Sequence, residues 1–307
     1  MAQWIFRRTY CGGILVFYEY AIDPAVLTSF DRVRYFFEAM EPGEGRFLCE
    51  YPSKWCRLVF DQLPNIAGSS RKAAELTLTS MRTKLIRRKG VAYDSAHSWV
   101  ENVVAENSRL PFRAVVTETG ADHENHVCAA TITIADPRWA KFTSFVPRRR
   151  ADIIEAIALL LRQSASIVII DRFFGNSSRE RVDLLGAFAA VADVDTHFEV
   201  YCEPLESGDT AKRQLRLNVD ALGQRLRARQ RLTVRVLTKQ TSGTRFHNRY
   251  VLAQIGGVNF GDSIELGYGK DKLTPLTAEQ LADLRRDYCA TTTAFVIEAT
   301  FTVSASR

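Results

Sequence analysis

The sequence predicts an α/β protein in two parts. An N-terminal α+β domain covers residues 1–146. A second domain, residues 147–307, carries a mostly parallel mixed sheet flanked by helices. Three observations predict this. Ile167-Val168-Ile169-Ile170 is a continuous β-branched run, as in a strand buried on both faces. Helical and strand-like patterns then alternate from residue 181 to residue 237, which argues for an α/β layer. The first half shows no such alternation and instead carries hairpin signals among its helices.

Taken in order, Trp4 to Tyr10 and Ile14 to Tyr20 read as strands around the turn signal Gly12-Gly13. Asp23-Pro24 opens a helical pattern through Phe30, Val33, Phe36 and Phe37. Helical stretches follow over 71–88 and 94–107, the second with Ser95 as its expected cap. Residues 112–118 and 127–134 are β-rich runs flanking a polar tip, Gly120 to His126, and read as a second hairpin. The domain boundary is placed at Pro147. In the second domain, Ile153, Ile154, Ile157, Leu160 and Leu161 recur at helical spacing within 148–163. After the buried strand come a helix (181–191), a strand (197–202), a helix (212–229), a strand (232–237) and a strand around His247. A final β-rich run, Thr292 to Val303, completes the sheet.

Bulk properties narrow the class. The chain has 307 residues, 46% hydrophobic and 25% charged, as in globular proteins. No apolar run reaches the roughly 20 residues of a membrane span, and the N-terminus lacks the order of a signal peptide, so a cytoplasmic protein is expected. The six cysteines show no CxxC spacing and read as buried thiols. Asp122 to Cys128 fits no zinc-ligand spacing, and there is no Walker or GxGxxG loop, so neither a metal nor a cofactor is expected. A net charge of +6 suits a phosphate-bearing partner. Arg87, Arg88 and Lys89, and then Arg148, Arg149 and Arg150, form clusters that read as nucleic-acid contacts or as solvated helix faces and ends. Trp139, between Arg138 and Lys141, is the aromatic best placed to stack on a base.

The chemistry centres on Arg245-Phe246-His247-Asn248-Arg249-Tyr250. Residues two apart on a strand share a face. His247 and Arg249 therefore project together, with Phe246, Asn248 and Tyr250 on the other side. An imidazole beside a guanidinium can attack or hold a phosphate. Among strand ends, Arg172, Asn176 and Lys239 are further phosphate-binding candidates, as is Asn259.

The order of elements and this strand resemble the phospholipase D-like superfamily over about residues 148–307. That family's motif is His-x-Lys, four residues, Asp, then six residues and Gly-Ser, with Asn two after the Ser. Here His247 takes the His place and Arg249 the Lys place. Gln254 stands at the Asp place. Gly261 and Ser263 follow with Asp262 inserted, and Glu265 falls at the Asn place. The resemblance implies metal-free phosphodiester cleavage, with His247 as nucleophile and Arg249 and Ser263 in support. Two motifs make one such site, so a single motif implies a homodimer. Gln254 and Glu265 depart from the pattern, which sets a non-catalytic nucleic-acid-binding or assembly module, docking to other protein subunits, against a nuclease. Degenerate relatives that bind phosphoinositides supply a third expectation. The resemblance also associates the chain with bacterial mobile-element and antiphage defence loci.

Overall fold

The computed structural model describes residues 15–63, 66, 68–120, 125–133, 136, 144–175, 179–203, 209–239, 246, 248–262, 264–289, 292 and 294–305. The strand expected over 4–10 and the turn at Gly12-Gly13 lie outside them. The chain divides into two compact units: residues 17–142, and residues 143–307 together with Leu15 and Val16. Helices and sheets occur in both, and the protein is α/β.

The smaller unit contains β1 (Tyr18–Ile22), α1 (Phe30–Ala39), β2 (Arg46–Leu48), α2 (Trp55–Gln62), α3 (Gly68–Met81), α4 (Trp99–Arg109), β3 (Ala114–Thr117) and β4 (His126–Cys128). Its strand order is β2-β1-β3-β4, and every pairing is parallel. This corrects the expected hairpin over 112–134, because β3 and β4 run the same way. Period-two alternation specifies the faces of a strand but not its direction. The Asn125 amide donates to the Phe112 carbonyl at 2.9 Å, and the Asn125 carbonyl accepts from Val115 N–H at 2.9 Å. Those bonds bring the chain back alongside the start of β3. Trp55, Tyr20, Tyr51, Phe36, Phe47 and Phe112 fill the core of this unit.

Local polar groups decide where its helices begin. The Asp23 carboxylate accepts from Ala25 N–H and closes a single turn at Pro24–Val26. α1 then starts afresh at Ser29, whose hydroxyl accepts from Arg32 N–H. α4 is capped by Ser98 rather than Ser95, in a reciprocal capping box with Glu101. α3 ends at Met81, not at 88. The chain beyond it extends, and Ile86 bridges Cys49 in parallel.

The larger unit contains β5 (Ser144–Pro147), α5 (Arg150–Arg162), β6 (Ser166–Ile170), α6 (Arg179–Val191), β7 (His197–Cys202), α7 (Asp209–Gly223), β8 (Arg231–Lys239), β9 (Arg249–Ala253), β10 (Gly257–Phe260), β11 (Lys270–Pro275), α8 (Ala278–Tyr288) and β12 (Phe295–Ser304). The sheet order is β12-β8-β7-β6-β9-β10-β11-β5. β6, β7 and β8, joined through helices, form the parallel part. The other five pairings are antiparallel, so this sheet is mixed as expected but only its centre, and not most of it, is parallel. β5 pairs with β11, so the strand ending at Pro147 belongs to this sheet and not to the domain before it.

The sheet is covered on both faces. Ile169, Phe198, Val200 and Leu232 meet Leu185, Ala189 and Leu222 of α6 and α7. On the opposite face, Val168, Ile170, Tyr201, Leu237 and Leu252 pack with Phe246, Tyr288 and Phe295, and with Leu281 and Leu284 of α8. Both faces of β6 are thus apolar, which is why its sequence does not alternate. Among the described residues no helix is long and apolar enough to cross a membrane.

Candidate functional site

The carboxyl ends of β6 and β7 open onto an edge where several antiparallel strands also turn. Ile170 lies opposite Tyr250, Arg249 opposite Phe260, Phe260 opposite Leu273, and Lys270 opposite Pro147. Asp171, Arg249, the 261–269 loop and Arg148 are therefore gathered at one end of the sheet. Directly opposed residues share a face, and neighbours along a strand take opposite faces. Tyr250 and Ile170 pack on the α8 side. Arg249 and Asp171 accordingly project toward the α6 and α7 side.

A chain of charges occupies that side. Asp171 is fully buried and Arg181, from α6, is 4% exposed. Arg181 Nε lies 2.7 Å from Asp171 Oδ2, a contact by charge, since the N–H is not aligned for a hydrogen bond. Arg181 Nη2 donates to Glu265 at 2.9 Å, and its Nη1 donates to the Phe173 carbonyl at 2.8 Å. Arg148 Nη2 donates to the other Glu265 oxygen at 3.1 Å. Two arginines and two carboxylates thus balance. Burial pushes the Asp171 carboxyl above its ordinary range, against the opposing pull of Arg181, the Phe173 N–H and Arg249.

Arg249 is the further cation of this cluster. It is partly buried, and its guanidinium carbon lies 5.0 Å from the centre of the Phe173 ring. It forms no ion pair and no guanidinium hydrogen bond with any described residue, and its Nε is buried without a partner. Phe173 also receives Arg172 at 5.5 Å, and Arg172 Nε pairs with Glu203 at 2.9 Å. Asn248 is not on this side: its amide donates to the Tyr250 hydroxyl at 2.8 Å.

The two departures from the family motif fall in different places. Glu265 is held by Arg148 and Arg181, so its charge is already neutralised. Gln254 stands beyond the far end of β9, where its side-chain oxygen accepts from Ala165 N–H at 3.1 Å. It does not reach the edge where Arg249 lies. Asn259 lies opposite Tyr250 and Thr274, which places it on the α8 face, across the sheet from Arg249. Grouping Asn259 with Arg249 as phosphate ligands is therefore corrected. Lys239 is the last residue of β8. His247, Ser263, Asn176 and the side chain of Lys239 lie outside the described residues, as does Trp139.

The basic clusters do not form open strips. Arg88 is buried, donating to both oxygens of Glu19 at 2.8 and 3.0 Å and to Glu106 at 3.0 Å, under the Phe112 ring. It cannot contact nucleic acid. Arg87 is exposed but paired with Glu50, and Lys89 is exposed beside it. Arg148 is turned onto Glu265, Arg149 onto Asp152, and Arg150 lies 3.8 Å from Asp183. Asp152 in the first turn of α5 offsets the basic charge at that helix start. Arg181 was not among the expected site residues. Its only sequence signal is a cation at the start of a helix that follows a buried strand.

The chain matches no protein-family model and no curated protein. The geometry itself offers a half-buried guanidinium, oriented by an aromatic ring and lacking a carboxylate partner among the described residues. Such a group can receive a phosphate oxygen in bidentate fashion without first breaking an ion pair.

Proposed function

We propose that this protein binds nucleic acid through the carboxyl edge of its larger sheet, with Arg249 receiving a backbone phosphate, as a non-catalytic module of phospholipase D-like type. Arg249 is the observation that carries the reading. Its neighbours Arg148 and Arg181 pair with Glu265 and Asp171, and Arg249, whose charge Asp171 also feels, forms no ion pair among the described residues. The mixed sheet with a helix-connected parallel centre supports the same reading, as does the place of Arg249 in the His-x-Arg sequence.

The test is polynucleotide binding by fluorescence anisotropy at rising salt, for the unaltered protein and for Arg249→Ala. The variant is expected to bind about ten-fold more weakly and to lower the salt slope by about one. Equal affinity and equal slope would remove Arg249 from the site. Binding to anionic vesicles but to no polynucleotide would transfer the reading to a membrane surface.

A metal-independent nuclease is the second reading. It is favoured by the placement of the departures, since Gln254 is remote and Glu265 is neutralised. It requires a homodimer, because one motif supplies one histidine. DNA cleavage in EDTA that disappears in His247→Ala would establish it. A strictly monomeric protein in light scattering would exclude it.

A further inference from the structure

β10 leads into the loop 261–269, whose described residues are tied down at several points. Gly261 N–H donates to the Lys272 carbonyl at 3.0 Å, and Asp262 N–H donates to the buried Asp271 carboxylate at 3.0 Å. Ile264 is fully buried, and Glu265 is clamped by Arg148 and Arg181. Gly267 N–H donates to the Arg148 carbonyl at 3.0 Å, and Arg148 N–H donates to the Gly269 carbonyl at 3.1 Å. Gly267 rests on the Arg148 guanidinium, where a Cβ would stand 3.3 Å away, and Gly269 takes a left-handed φ of 82°. Between these two fixed glycines, Tyr268 is wholly exposed at 102%.

A tyrosine left in water on a rigid turn gains nothing from packing. Two exposed lysines follow it in the chain. Lys270 and Lys272 alternate onto one face of β11 and are exposed, with no ion pair among the described residues. Phe145 of β5, 59% exposed, lies directly opposite Lys272. By the same register Lys272 and Phe145 lie with Thr274 and Asn259 on the α8 face, across the sheet from Arg249, and Lys270 and Lys272 lead along that face from the edge where Tyr268 stands. Aromatic faces stack on unpaired bases, and lysines follow the phosphates between them. A duplex keeps its bases inside and offers such rings nothing to stack on.

We propose that Tyr268, Lys270, Lys272 and Phe145 form a track for single-stranded nucleic acid, with Tyr268 stacking on an unpaired base. This rests on the reading of the larger unit as polynucleotide-binding, and it names the class of polynucleotide. Binding is measured for a single strand, an abasic strand of equal length and charge, and a duplex of equal length. The unaltered protein is expected to prefer the single strand. Tyr268→Ala should lose about ten-fold or more on the single strand and little on the abasic strand. Tyr268→Phe should retain the affinity. Lys272→Ala should weaken single and abasic strands alike, with a smaller salt slope. Tyr268→Ala binding the single strand unchanged, or losing equally on the abasic strand, overturns the track. If Arg249→Ala still weakens binding in that case, the polynucleotide reading stands without it. If the unaltered protein binds none of the three probes, both fall. Because Tyr268 is exposed, its variants should melt with the unaltered protein, which thermal unfolding checks.

Discussion

Arg88 in the smaller unit and Arg249 in the larger are both arginines set against an aromatic ring, Phe112 at 3.4 Å and Phe173 at 5.0 Å. Their surroundings differ in the carboxylates. Arg88 is gripped by Glu19 and Glu106, and Arg109 shares Glu106, so two cations meet two anions. The larger unit repeats that balance with Arg148, Arg181, Asp171 and Glu265, and Arg249 forms no ion pair among the described residues. A buried guanidinium with its full set of acceptors holds a fold together. One that is half-buried and lacks them can receive an anion supplied from outside, which is the role proposed for Arg249.

The largest expected effect tests the structural arginine. Arg88→Met leaves Glu19 and Glu106 facing each other in the core and should destabilise by about 3–5 kcal/mol, read by chemical denaturation. A change below about 1 kcal/mol would dissolve the contrast. Next comes Arg249→Ala, expected to alter stability by no more than about 1 kcal/mol, the scale of its cation–ring contact, while weakening polynucleotide binding. A loss of stability comparable to that of Arg88→Met would make Arg249 a structural residue. Smaller still is Arg87→Ala, one residue from Arg88 but exposed on Glu50, where about 0–1 kcal/mol is expected in the same denaturation assay.

The smallest effect separates the arginines, which stay charged, from groups that titrate. Burial depresses the His197 imidazole below its ordinary value of 6.5, against the pull of Glu199, and the ring meets the Thr233 hydroxyl at 2.9 Å. The unfolded chain therefore takes up this proton at a higher pH than the folded chain. The contribution of His197 is complete above pH 6.5 and falls away as pH drops through the folded value. Thermal melts from pH 7.5 downward should decline less in His197→Gln than in the unaltered protein. Parallel declines would assign the pH dependence elsewhere.

Much of the larger unit was legible because its signals are local. The β-branched run at 167–170 and the helical spacing of Ile153, Ile157 and Leu160 need only their own neighbours to be read. The β10–β11 segment and α8 were not read. Lys270-Asp271-Lys272-Leu273 alternates charged and buried positions as an outer strand does, with a buried aspartate in an apolar place. The same limit hid Tyr268, which looks like any loop tyrosine until the bonds that fix its turn are seen. In the smaller unit, the helix starts depended on which of several serines reached a backbone N–H, Ser98 rather than Ser95.

The sequence by itself determined the α/β class, most helices and strands of the larger unit, and the strand that begins at Arg249. Those follow from periodicity and chemistry within a few residues. Only the tertiary structure decided which arginines are available. Arg88 finds its carboxylates 69 residues before it and 18 after it. Arg181 finds Glu265 at a separation of 84. Charge compensation is made by groups distant along the chain and close in space, so a run of basic residues carries no record of its own neutralisation.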